Sequence, residues 1–320
     1  MDYKEWARTY LCKKWLSTDE TVAAILTAIE NNEPLSYTRF GDGDLILLKD
    51  YFNKIKNDPY YIDLCNADNH IISTVDNSEH NKLRHYARQF HSEMQKEHFE
   101  NRWGVYDNET QLNIIEKIGK DHLFALQNST HIGIWDIETD VLAGTIDDFY
   151  IWLHTYVPHI ELFANSGVNF KTLCDGSILR NTSSFSNPYE FRDIIKGKPI
   201  HIFTSNEYEL RHVSNLHEIL NTKITYTNIT PVKGDYTTFS FMHYDFLYKE
   251  CESIDAQIVL YGLGYGAKHI PSYLSHNYGK TVIDMGAILD GWAGKITRPY
   301  MENIDIMPNH ITPTNVSWIA

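Results

Sequence analysis

The sequence is short of cysteine and of positive charge, and each shortage disfavours a class of protein. The four cysteines of the 320-residue chain lie far apart, with no Cys-x-x-Cys pair and no histidine at zinc-finger spacing. We therefore expect reduced thiols and a cytoplasmic protein. Only 28 lysines and arginines stand against 42 acidic residues, which gives a net charge of −14 without any basic run. This balance disfavours a nucleic-acid partner.

Long apolar runs and internal repeats are also missing. No stretch has the length that crosses a bilayer, so no membrane span is expected, and the charged N-terminal residues do not resemble a signal peptide. No low-complexity tract or linker divides the sequence. A chain of this size can bury a large core, and we expect a single domain over residues 1–320.

The second half of the chain alternates short apolar segments with amphipathic ones. Strands are predicted at 199–204, 223–228, 256–261 and 280–284, and helices near 188–196, 206–220, 236–253 and 266–278. This alternation predicts an α/β fold with a Rossmann-like, mostly parallel sheet and helices on both faces. The nucleotide-binding half is expected at about 188–295.

The first half gives a clear prediction only near its start. A helix over 18–32 begins with a capping box at Ser17, and a strand over 35–40 follows it. The other predictions are a polar helix around 79–99, strands at 122–126 and 131–135, and a loop over 168–187.

Two acidic residues follow the first of these strands closely. Residues 36–44 read Ser-Tyr-Thr-Arg-Phe-Gly-Asp-Gly-Asp, a strand that runs into a tight turn, and a second helix is expected from Leu45. Asp42 and Asp44 flank a glycine, and two carboxylates held so close repel each other unless a cation lies between them. The loop 36–48 is therefore a candidate site for a divalent metal with oxygen ligands. A solvated Asp-Gly turn is the alternative.

A glycine-rich turn lies near the C-terminus. Gly262, Gly264 and Ala267 fit the pattern G-x-G-x-x-A between a predicted strand and a predicted helix, the context in which this motif binds a diphosphate. The next strand ends at Asp284, about 20 residues on, where a dinucleotide-binding enzyme has its ribose-binding acid. A turn that needs small residues only for packing is the alternative. Because only about one strand–helix unit follows, the pattern is unusual for an NAD domain.

The motifs together resemble one known family. The segments Arg39–Asp44, Ile258–Gly264 and Ile283–Asp290 resemble the bacterial glycosyltransferases of the GT-D fold. The resemblance covers roughly 33–50 and 197–295, and at Asp44 the family usually has glutamate. It implies a nucleotide-sugar donor, most commonly a UDP-sugar, a glycan or glycoprotein acceptor, and a manganese or magnesium cofactor.

The resemblance and the spacing together predict which residues form the site. Asp42 and Asp44 would hold the metal, and an inverting transferase would take its base from among Asp284, Asp290 and Glu207. Arg39 is expected either to bind phosphate or to support the carboxylates. The residues expected to line the donor site are Arg39, Gly41, Gly43, Ser205, Gly262, Gly264 and Gly266.

Two other classes of protein stay open. One is an NAD(P)-dependent oxidoreductase or sugar-nucleotide epimerase, which would bind NADH without a metal. The other is a nucleotide-binding module without catalysis. The sequence leaves the oligomeric state open.

Overall fold

The computed structural model describes residues 15–58, 100, 104–134, 172–176, 178–181, 188–297 and 314–315. The polar helix predicted around 79–99 lies outside these residues. Among the helices that are described, none is both long and apolar enough to cross a membrane.

Eight of the described strands form one sheet in which every pairing is parallel. They are β1 Trp15–Leu16, β2 Leu35–Arg39, β3 His131–Ile134, β4 Leu173–Asp175, β5 Ile200–Thr204, β6 Ile224–Asn228, β7 Ile258–Gly262 and β8 Thr281–Asp284. Their order across the sheet is β1-β4-β3-β2-β8-β7-β5-β6. A separate parallel pair joins β9 Lys295–Ile296 to β10 Thr314–Asn315. The predicted parallel α/β fold is confirmed.

Nine α-helices are described around these strands. They are α1 Thr18–Asn31, α2 Asp42–Asp50, α3 Asn108–Asn128, α4 Ile178–Asn181, α5 Pro188–Ile195, α6 Leu210–Leu220, α7 Tyr244–Ser253, α8 Ile270–Tyr278 and α9 Ile288–Trp292. The capping box predicted at Ser17 is present, since its hydroxyl accepts from the Glu20 amide and the Glu20 carboxylate accepts from the Ser17 amide. At its C-terminus α2 continues into a π-helical turn, Tyr51–Ile55.

Helices cover both faces of the sheet. On one face, side chains of α1, α5, α6 and α9 pack over Ile202, Leu260 and Ile283. On the other face, α7 and α8 pack over neighbouring residues of the same strands, among them Phe203 and Val259. Because successive residues of a strand point to opposite faces, strands buried on both sides become continuous apolar runs. This explains why the second half was predicted well.

Three predictions for secondary structure are wrong. The segment predicted as a strand at 122–126 belongs to α3, whose buried residues recur at three- and four-residue spacing and face α2 and the core. The predicted loop 168–187 contains β4, which gains its hydrogen bonds by entering the sheet between β1 and β3, and also α4. The helix predicted over 236–253 begins only at Tyr244, because residues 236–242 form two 3₁₀ turns.

The direction in which successive strands are added to the sheet changes between β5 and β7, although the strands themselves are all parallel. From β5 the chain passes through α6, on the first face, to β6; from β7 it passes through α8, on the second face, to β8. Since β6 and β8 lie on opposite sides of the β5–β7 pair, the carboxyl ends of β5 and β7 border a topological switch point. Open α/β sheets bind their ligands in the crevice at such a point.

Candidate functional site

The two motifs from opposite ends of the sequence meet at the carboxyl edge of the sheet. Helix α2 begins at Asp42, earlier than the predicted start at Leu45, with Gly41 as its N-cap. The ring of Tyr265, from the glycine-rich turn, lies against Gly43 in the first turn of α2, and a Cβ at Gly43 would overlap it. Gly43 therefore lets the turn pack against the helix.

Asp44, Lys268 and Asp284 form a buried group, which we name the carboxylate–lysine cluster. The Lys268 Nζ lies 2.9 Å from Asp284 Oδ2 and 3.7 Å from Asp44 Oδ2. It also donates to the Arg39 carbonyl at 2.6 Å. The exposed fractions of Asp44, Lys268 and Asp284 are 4, 5 and 3%. Charges so deeply buried are stable only when they are paired and hydrogen-bonded, and these are.

Both oxygens of Asp44 accept from the protein. Oδ2 accepts from the Gly41 amide at 2.9 Å, and Oδ1 lies 3.0 Å from His122 Nε2. Burial by itself would raise the pKa of Asp44, but the charge of Lys268 and the bonds from His122 and Gly41 outweigh it, so the pKa lies below its usual value. For Lys268, burial would lower the pKa, and the charges of Asp284 and Asp44 instead hold it above its usual value. The pair is charged at neutral pH.

Asp284 ends β8, as predicted. Its Oδ2 accepts from the Arg39 amide at 3.1 Å as well as from Lys268. The carboxylate thus joins the first motif to the glycine-rich turn. Its role as a catalytic base stays a prediction, and its burial disfavours that role.

The other two candidate bases lie near the switch point. Asp290, in α9, accepts from Asn206 Nδ2 at 2.8 and 3.0 Å, from the Tyr208 hydroxyl at 3.1 Å and from the Thr297 hydroxyl at 2.8 Å. It is buried, and these bonds fix the loop after β5 against α9. Glu207 lies in that loop and is exposed. Of the three predicted bases, Glu207 alone is exposed to solvent.

The predicted donor-site glycines divide into an open group and a packed group. Gly264 is exposed, has a φ of +73°, and has no atom within 4 Å of where a Cβ would be. By contrast, a Cβ at Gly266 would overlap the Ser240 hydroxyl, so Gly266 serves packing. Ser205 donates from its amide and its hydroxyl to the Gly262 carbonyl, at 3.3 and 3.2 Å. These bonds join the start of the loop after β5 to the end of β7.

Arg39 holds the turn between β8 and α9. Its Nε donates to the Gly176 carbonyl at 2.6 Å, and its Nη1 lies 3.4 Å from the Met285 carbonyl oxygen. Gly286 has a φ of +53°, and a Cβ there would lie 2.8 Å from Arg39 Nη1. Arg39 as a whole residue is only partly buried.

We expect Gly286→Ala to destabilise the fold more than Gly279→Ala does. Both glycines have positive φ, +53° and +65°, where alanine costs about 1–2 kcal/mol. A Cβ at Gly279 meets nothing within 4 Å, whereas one at Gly286 displaces Arg39. Urea unfolding of both variants measures the difference. Equal losses would show that Arg39 moves aside without cost.

The sequence analysis missed four residues that complete the site. They are Lys268, His122, Asp121 and His269. Asp121, in α3, accepts from the amides of Lys268 and His269 at 2.7 and 3.0 Å and is bonded to His269 Nδ1. The two backbone N–H groups directly before α8 are therefore already hydrogen-bonded to Asp121. Lys268 directly follows the G-x-G-x-x-A pattern and could have been found from it, whereas His122 begins, and Asp121 directly precedes, the segment 122–126 that was wrongly predicted as a strand.

The described residues do not fit the predicted manganese or magnesium centre. Among them, no three His, Cys, Asp or Glu side chains converge as a metal site requires. Both Asp44 oxygens accept from protein donors, and the ammonium of Lys268 is within 3.7 Å of Asp44 and 2.9 Å of Asp284. Metal binding by Asp42, the first residue of α2, and by Asp44 stays a prediction.

Comparison with known proteins gives one structural likeness. No family model matches the sequence, and no curated protein matches it. A solved structure described by the words "The highly conserved domain of unknown function 1792 has a distinct glycosyltransferase fold" is similar over 87% of this chain and 79% of that chain, with a TM-score of 0.49 and 16% sequence identity. A likeness at this level does not establish an activity, so the function must be inferred from the geometry of the chain itself.

Proposed function

We propose that the protein is a glycosyltransferase that takes its sugar from a nucleoside-diphosphate donor, with a UDP-sugar as the first candidate. One observation carries the proposal. The Arg39–Asp44 segment and the glycine-rich turn in which the Ile258–Gly264 segment ends meet at the carboxyl edge of a parallel sheet, beside its switch point, and both segments resemble the GT-D glycosyltransferases in sequence. Ligands of open α/β sheets bind at this edge.

The open part of the site suits a diphosphate. Gly264 presents its backbone to solvent without a side chain, so a phosphate can approach the turn closely. Arg39, a residue that is only partly buried, carries a positive charge and a planar set of donors, which suits phosphate oxygens. In a protein of net charge −14, such local groups are needed to attract an anionic donor.

The geometry disfavours the NAD alternative on two counts. A Rossmann enzyme places the pyrophosphate on the free amides at the start of the helix after the glycine turn, but here Asp121 occupies the amides of Lys268 and His269. The acid at the end of the next strand should bind a ribose hydroxyl, but Asp284 is buried and bonded to Lys268 and Arg39.

The proposed reaction moves the sugar from the donor diphosphate to a hydroxyl of a glycan or glycoprotein acceptor. The acceptor oxygen bonds to the anomeric carbon, the bond to the diphosphate oxygen breaks, and the nucleoside diphosphate leaves. Arg39 would stabilise the charge that develops on the leaving group. Glu207, exposed in the loop after β5, would receive the proton of the acceptor hydroxyl.

A thermal-shift titration with UDP tests the donor site, with NADH as the comparison. Each titration is run with manganese and again with a chelator. We expect UDP at about a hundred times its dissociation constant to stabilise the fold by about 2.7 kcal/mol, and NADH to have no such effect. Stabilisation by NADH alone would contradict the proposal. Release of UDP from UDP-sugars separates an enzyme from a binding module.

A pair of matched variants locates the site. Gly264→Asp places a negative charge at the open turn, and we expect it to weaken UDP binding about tenfold or more, since like charges repel. Gly197→Asp is the control. Gly197 has nearly the same φ, +76° against +73°, and an equally empty surrounding, but it precedes β5 at the opposite edge of the sheet. Asp tolerates this backbone region better than most residues. Equal binding by both variants would place UDP elsewhere.

A further inference from the structure

The ammonium of Lys268 has the surroundings of a bound cation. Three oxygens surround its nitrogen: Asp284 Oδ2 and the Arg39 carbonyl, which accept hydrogen bonds at 2.9 and 2.6 Å, and Asp44 Oδ2, which pairs with it at 3.7 Å. Two carboxylates and a backbone carbonyl are also a set of ligands that a hard divalent ion would use. An ion and the ammonium cannot both occupy this position.

The backbone that carries Lys268 is fixed from another helix. Asp121, from α3, accepts from the Lys268 amide at 2.7 Å and from the following His269 amide at 3.0 Å. His269 Nε2 lies 2.9 Å from the Tyr248 hydroxyl, which ties the same point to α7. Two helices, α3 and α7, thus hold the backbone from which the ammonium reaches into the cluster.

Both oxygens of Asp44 are acceptors within the protein. One oxygen caps the start of α2 through the Gly41 amide, and the other is bonded to His122, whose side chain is fully buried. Each oxygen keeps a second lone pair, so these bonds alone do not exclude a metal. The group that fills the space between the two carboxylates is the Lys268 ammonium, 3.7 Å from Asp44 Oδ2 and 2.9 Å from Asp284 Oδ2.

The charges of the site balance without a metal. Asp44 and Asp284 carry two negative charges, and Lys268 and the nearby guanidinium of Arg39 carry two positive ones. A divalent ion would add two uncompensated charges to a buried group, which is costly at low dielectric.

We propose that the Lys268 ammonium is the resident cation between Asp44 and Asp284, where it takes the position of a divalent metal, so that Asp44 is not a metal ligand. The spacing of Asp42 and Asp44 predicted a cation at this edge, and the structure supplies one from the glycine-rich turn. The inference concerns the cation alone and does not depend on which donor binds.

Mn²⁺ binding to the full chain, measured by electron paramagnetic resonance without nucleotide, tests this assignment. In wild type, D44N and D50N, we expect Mn²⁺ affinities that agree within about twofold. Asp50 is the matched control, because it is a buried carboxylate of the same helix that pairs with Lys54 outside the cluster. We expect K268A to gain a Mn²⁺ site that K268A/D44N lacks.

Two results would overturn the assignment. One is a loss of about tenfold or more in Mn²⁺ affinity in D44N but not in D50N, since Asp44 would then ligate metal beside an intact Lys268. The other is a folded K268A that gains no Asp44-dependent site, because the ammonium would not then occupy a cation position. If K268A does not fold, the comparison of wild type with D44N decides alone. Since no UDP is present, a wrong donor assignment leaves these results unchanged.

Discussion

Replacing Lys268 with methionine is expected to lower the free energy of unfolding by about 3–5 kcal/mol, the usual loss when one partner of a buried ion pair is removed. Asp44 and Asp284 would stay buried without the ammonium that now contacts both. Methionine fills a similar volume, so the loss reports charge more than packing. Urea unfolding at pH 7, followed by circular dichroism, measures it.

Two comparisons make this prediction specific. Lys120→Met removes an ion pair with Glu116 that lies on the surface of α3, with lysine and glutamate side chains 64% and 40% exposed, and it should cost less than about 1 kcal/mol. The double variant K268M/D284N should recover part of the stability that K268M loses, because it removes one of the two unpaired charges. If K268M lost no more stability than K120M, the cluster would not depend on its lysine.

Acid is expected to destabilise the fold between about pH 6.5 and 4 through His201. This side chain is 5% exposed in β5, and burial lowers its pKa from 6.5 to about 4. The Thr227 hydroxyl donates to Glu250, so it accepts from His201 Nε2. In the neutral ring this leaves Nδ1 free to accept from the Thr225 hydroxyl, 2.8 Å away.

The sign of the pH effect follows from proton uptake. Between pH 6.5 and 4 the unfolded chain binds a proton at this histidine and the folded chain does not, so stability falls by about 1.4 kcal/mol for each unit of pH lost. Above pH 6.5 the contribution is constant. His131, with a pKa also lowered to about 4 by burial, adds a second contribution of the same sign.

Urea unfolding of wild type and H201Q at pH 7, 6 and 5 measures this effect. We expect H201Q to reduce the slope of stability against pH by about 1.4 kcal/mol per unit below pH 6.5. The two curves should run parallel above pH 7, where any constant difference reports the lost hydrogen bonds. If the two curves were parallel over the whole range, His201 would bind its proton as readily in the folded chain as in the unfolded chain.

The sequence predicted the sheet better than the site, and particular residues show why. Strands such as β5 and β7 are buried on both faces, so their apolar runs are visible without knowledge of their neighbours. Asp44 and Asp284 could be singled out because each follows a strand. That both contact Lys268 depends on β2 lying next to β8, a pairing that no local pattern records.

His122 is an example of a site residue that the sequence did not predict. Its segment is apolar enough to predict a strand, but it belongs to α3, which packs against α2 and places His122 Nε2 3.0 Å from Asp44 Oδ1. No pattern in the sequence distinguishes Gly264, which faces open space, from Gly266, which packs against Ser240. Tertiary contacts, which propensity cannot supply, decide both cases.

The pairing of β2 with β8 also has a consequence for the order of synthesis and folding. Leu35 pairs with Thr281, and Tyr37 with Ile283, so the centre of the sheet joins segments from opposite ends of the chain. Contacts of such high sequence separation make folding slow, because a long loop must close first. Until the ribosome has released residue 284, one edge of β2 has no partner, and an unpaired edge invites aggregation. The nascent chain therefore exposes this edge of β2 for most of its synthesis.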